Sequence, residues 1–97
     1  MMRIQVEFLS IPKVTRIIGN KSIDFELRGN NIGDLIEEIS KQYSREIKHF
    51  LLDDKSGQLD AVFKIQLNKS RWIPRDRLDT RLQDRDRVTF MMLVGGG

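Results

Sequence analysis

Ser22-Ile23-Asp24-Phe25-Glu26-Leu27-Arg28-Gly29-Asn30-Asn31-Ile32-Gly33-Asp34-Leu35-Ile36-Glu37-Glu38-Ile39 changes its hydrophobic period half-way along. Up to Leu27, apolar and polar residues alternate, which is the period of a half-buried strand. From Asn31 onward, Ile32, Leu35, Ile36, Ile39 and Tyr43 fall at helical spacing and make one apolar stripe. Asn31 is a suitable N-cap. Asp34, Glu37 and Glu38 come early and Lys41 and Arg45 late, which complements the helix dipole. Gly33, in the first turn, works against helix propensity, and the sequence supplies no reason for it.

Upstream, Arg3 to Leu9 alternates in the same way, with Ile4, Val6 and Phe8 on one side. It should pair with Ser22–Leu27 as a hairpin. Pro12 and Gly19-Asn20 mark turns in the connection, and Ile11, Val14, Ile17 and Ile18 between them fold back as a flap on the core. Downstream, Glu46 to Leu52 reads as a short second helical piece and Asp53 to Asp60 as a loop. Phe63, Ile65 and Leu67 mark a third strand. A tight turn over Asn68 to Arg71 leads to a short return through Trp72 and Ile73, stopped by Pro74. Leu78 and Leu82 are isolated apolar anchors, and Arg87 to Val94 is the last strand. This order predicts an α+β, ubiquitin-like β-grasp: a mixed four- to five-stranded sheet covered by one main helix. The last strand lies beside the first and parallel to it. The domain spans residues 1–94, and Gly95-Gly96-Gly97 is a flexible tail.

Composition narrows the function classes. With 97 residues, the chain makes one domain. It has no cysteine, so disulfides, thiolate metal sites and cysteine nucleophiles are absent, which suits the cytoplasm. Neither a signal peptide nor an apolar run of membrane-spanning length is expected. The net charge is +3, and residues 69 to 87 carry its excess. Asp76, Asp79, Asp84 and Asp86 interleave with the arginines there, and Trp72 is the segment's one aromatic. That pattern suits an ion-paired surface better than a nucleic-acid groove, which stacks bases on several aromatics. Trp72 is expected as a packing anchor. His49, the single histidine, has no partner for a metal site or catalytic dyad. Glu37 and Glu38 are adjacent, so they point apart on a helix and make a poor acid–base pair. No phosphate-binding glycine loop occurs, so any ATP is bound by a partner.

The end of the chain carries a resemblance. Leu82-Gln83-Asp84-Arg85-Asp86-Arg87-Val88-Thr89-Phe90, followed by Met91-Met92-Leu93-Val94-Gly95-Gly96-Gly97, resembles the MoaD/ThiS family of ubiquitin-like sulfur carriers. That family includes the small subunit of molybdopterin synthase and the sulfur carrier of thiamine synthesis. Asn31-Ile32-Gly33-Asp34-Leu35 and the turn after Leu67-Asn68 are similar too. Arg85 stands where the family usually has a glycine between two acids, a position that often needs φ > 0. Met91-Met92-Leu93 replaces a proline-containing approach common in molybdopterin synthase subunits, and Gly95 replaces a frequent alanine.

The resemblance implies that the chain is not an enzyme but the substrate of a ubiquitin-activating-type enzyme. That enzyme would use ATP to adenylate Gly97, and a sulfur donor would convert the adenylate to a thiocarboxylate. A sulfur-accepting synthase would be the second partner, in molybdopterin, thiamine or sulfur amino acid biosynthesis. The glycines suit this chemistry. A free carboxylate is an anion at neutral pH and can attack a phosphorus, and three residues without Cβ reach roughly 10 Å into a narrow site. No cofactor, nucleic acid or membrane is implied, and the free protein is a monomer or weak dimer. Phe90, Met91 and Leu93 are candidate docking residues, with Met91 and Leu93 on the face away from the helix. The other reading of that face is that the flap around Val14 and Ile17 covers it. Two further functions stay open: a protein modifier joined to lysines through Gly97, and a noncatalytic β-grasp binding module.

Overall fold

In the computed structural model, which describes residues 1–93, alternation places Ile4, Val6 and Phe8 of β1 (Met2–Leu9) on one face of a sheet. Phe25 and Leu27 of β2 (Ser22–Leu27) share that face, and β2 runs antiparallel to β1 with Ile4 opposite Phe25. The remaining strands are β3 (Phe63–Leu67), β4 (Arg71–Ile73) and β5 (Arg87–Met92). The five stand in the order β2-β1-β5-β3-β4. β5 is parallel to β1, as expected, and antiparallel to β3, so the last strand is the middle of the sheet.

The helices are α1 (Pro12–Ile18), α2 (Ile32–Gln42) and α3 (Arg45–Leu51). α2 lays Ile32, Leu35, Ile36 and Ile39 on the sheet, and all four are buried. The Asn31 carboxamide accepts from the Asp34 N–H at 2.7 Å, the cap expected from the sequence. The first-turn N–H groups of Ile32 and Gly33, which have no intrahelical acceptor, donate to the carbonyls of Thr80 and Leu78 at 3.1 and 2.8 Å. A Cβ on Gly33 would stand 3.3 Å from the Asn31 side-chain oxygen that caps the helix and 3.4 Å from the Leu78 carbonyl oxygen, so the segment crosses close beside this glycine. Leu82 anchors the same crossing and is buried.

The expected flap is a helix. Pro12 opens α1, where its missing N–H costs nothing, and Gly19 closes it at φ 86° with its N–H on the Thr15 carbonyl at 2.7 Å. Ile11 and Val14 join the one buried cluster. The Lys13 ammonium lies 5.1 Å from the Phe50 ring, itself edge-on to Phe63 at 5.3 Å, so α1 sits on the helix side of the sheet. Phe8 and Phe90 stack at 5.3 Å in the centre of the core. β5 stops at Met92, short of the expected Val94, which lies outside the described residues.

Candidate functional site: the rim where the central strand ends

The turn over Gln83–Asp86 launches β5 and ties it to β1. Asp84 Oδ1 accepts the Arg3 N–H, and the Arg85 N–H donates to the Arg3 carbonyl, both at 2.8 Å. Asp86 accepts from the Gln83 N–H at 2.8 Å and from the Asn68 side chain at 3.0 Å. Arg85 holds φ at 72°, the left-handed conformation expected where the family has glycine. At the other end of β5, the Leu93 N–H donates to the Val62 carbonyl at 2.8 Å. Gly95, Gly96 and Gly97, the expected tail, lie outside the described residues.

The three expected docking residues separate. Phe90 is fully buried against Phe8 and cannot touch a partner, because β5 turns its even-numbered side chains to the helices. Docking at this strand end therefore excludes Phe90, contrary to the sequence expectation. Met91, half-buried, points to the open face, paired with Leu9 on one side and Lys64 on the other. Leu93 is 51% exposed. α1 covers the opposite face, so the flap reading of Met91 and Leu93 fails. Leu9, opposite Met91, and Val62, whose carbonyl holds Leu93, are both exposed and complete an apolar rim at this end of β5. The sequence pattern alone did not single them out, since their nearness depends on strand register.

Beside this rim the open face is polar and internally matched. The Thr89 hydroxyl donates to Glu7 Oε1 at 3.0 Å, and Lys69 Nζ lies 2.6 Å from the same oxygen. The Lys69 contact holds the Glu7 carboxyl below the usual carboxylate range, against the opposing effect of burial and with help from Thr89 and Arg87. Arg87 donates to Gln5 Oε1 at 2.8 Å, and Arg3 pairs with Glu26 at 3.4 Å. Trp72 departs from expectation. It is 54% exposed on β4 rather than packed, because Ile73 takes the core-facing position of that three-residue strand.

His49 lies at the surface, 3.7 Å from Asp54. Among the described residues no cluster of histidine, aspartate or glutamate could hold a metal, and no helix is long and apolar enough to cross a membrane.

The profile of the ThiS family matches residues 12–97. The chain belongs to the ThiS family. Its β-grasp fold is shared with solved structures of ubiquitin-like proteins. Mycobacterium tuberculosis CysO, described as an antigen, is 27% identical with a TM-score of 0.76, over 94% of this chain and 99% of that one. A chain of the Amycolatopsis orientalis BexX/CysO complex is 21% identical at 0.78, over 97% and 99%. Small archaeal modifier protein 1 of Methanosarcina acetivorans is 22% identical at 0.73, over 100% and 98%. At these last two identities the likeness speaks for the fold alone. No curated protein matches this ThiS-family chain.

Proposed function

We propose that this ThiS-family protein is a sulfur carrier. The Gly97 carboxylate attacks the α-phosphorus of ATP on a ubiquitin-activating-type enzyme, displacing pyrophosphate. Sulfide from a donor then attacks the acyl carbon, AMP leaves, and a thiocarboxylate remains. A synthase accepts that sulfur for cofactor or sulfur amino acid biosynthesis. The carrier supplies no catalytic group, ATP stays with the partner, and the work takes place in the cytoplasm, which a chain without cysteine suits. Residues 95–97 act as the slim tail, and Met91 and Leu93 dock beside it.

The observation that carries this reading is the ThiS match extending through Gly97 from a domain whose central strand ends in an exposed apolar rim. Methionine and leucine at such a rim adapt to more than one partner surface. Intact-mass measurement on protein from its native cell tests it. The expected result is one carboxylate oxygen replaced by sulfur, lost when Gly97 is deleted while the fold persists. A lysine isopeptide remnant at Gly97 would instead assign a protein modifier. An unmodified Gly97 whose removal changes nothing would leave only a binding module.

A further inference from the structure

Outside the rim, the most anomalous surface feature is Trp72, whose indole stands beside a groove of about 210 Å³ that runs along the outer edge of β3 and β4. Ala61, Phe63 and Pro74 contribute to its apolar lining, and Lys64 and Arg75 contribute its charge. Arg75 is already oriented, because its Nε donates to the Leu59 carbonyl at 2.8 Å. That bond leaves the terminal guanidinium nitrogens to meet an incoming oxygen.

Like most of the chain's cations, Lys64 and Arg75 have no carboxylate within 4 Å among the described residues, so both are open to an anion, unlike Arg3 and Lys69 elsewhere on the open face. Two unmatched cations beside an exposed tryptophan make the composition of an interface anchor. The groove also continues into the tail rim, since Lys64 stands directly opposite Met91 and Leu93 bonds to Val62, next to Ala61.

We propose that this groove docks an acidic segment of a partner protein, with a carboxylate between Lys64 and Arg75 and the adjoining apolar side chain on Trp72. That the partner is one handling the tail rests on the carrier reading; the groove's chemistry does not. A long polyanion such as nucleic acid is disfavoured because Glu7, Asp24 and Glu26 share the open face with Trp72, and only one aromatic is available for stacking.

Trp72 is the chain's single tryptophan, so its fluorescence reports this site alone. The test titrates the full chain with a peptide alternating glutamate and leucine, with a lysine–leucine peptide of equal length, and with a single-stranded oligothymidylate. The acidic peptide should shift the indole emission to shorter wavelength, bind more weakly as salt rises, and bind ~10-fold more weakly to Lys64→Glu, whose side chain is exposed. Lys64→Arg should restore binding. Equal responses to the two peptides, no response to the acidic one, or tighter binding of the oligonucleotide would overturn the proposal. Deleting Gly97 should leave the titration unchanged, so failure of the carrier reading and failure of the groove are read separately.

Discussion

Arg85 holds a conformation that an L-residue adopts at a cost, and its exposed side chain makes only a long, solvated contact of 4.0 Å with Asp84. The useful contacts are made by its backbone and by Asp84 and Asp86, so Arg85→Gly should keep them. The gain is partly offset by the greater freedom of glycine in the unfolded chain. The variant should be stabler by up to ~1 kcal/mol, read as a higher urea midpoint. Phe90 and Leu93 make a sharper pair. Phe90→Ala should cost roughly 3–5 kcal/mol by opening a cavity against Phe8. Leu93→Ala should change stability by less than about 0.5 kcal/mol, yet, on the proposed carrier function, raise the KM of the activating enzyme for this protein. Phe90 and Trp72 depart from the sequence reading for different reasons: the alternation that turns Met91 and Leu93 to the open face already turns Phe90 to the helices, whereas parity on a three-residue strand such as β4 is too short to read.

Among the elements, α2 depends most on its first turn. The Glu38 carboxylate accepts the Arg28 and Gly29 N–H groups at 2.8 and 2.7 Å, so the connection from β2 is held by the helix it enters. Asn31→Ala should cost about 1 kcal/mol through loss of the cap. Gly29→Ala should cost more, ~1–3 kcal/mol, because the new Cβ would collide with the Cβ of Asp34. Both are measured by chemical denaturation. β1, β2, α2 and β3 were legible because each carries a clean period over enough residues. Pro12 and Gly19 bracket α1 as helix-start and helix-end residues, but two turn formers so close together also describe a loop, which is why its four apolar residues read as a flap. The surroundings of Gly33 could not be read from the sequence, since the Leu78 carbonyl that its N–H meets is 45 residues away.

For the whole molecule, the open face couples strands far apart in sequence through Glu7, Thr89 and Lys69. Glu7 titrates below the usual carboxylate range when folded, so its contribution is present above its ordinary pKa and is lost as pH falls through the lowered folded value. Glu7→Gln should therefore be less stable than the parent near neutral pH. The difference should shrink and vanish on acidification, as followed by urea midpoints across that range. The central position of β5 has a mechanical consequence as well. Met2 begins β1 and Met92 ends β5, and these neighbouring strands are parallel, so tension between the two ends slides one along the other. Their shared hydrogen bonds then bear the load together instead of unzipping in turn. A pull from the C-terminal end against a held N-terminus therefore meets a clamp loaded in shear, and the domain resists being unravelled along that axis.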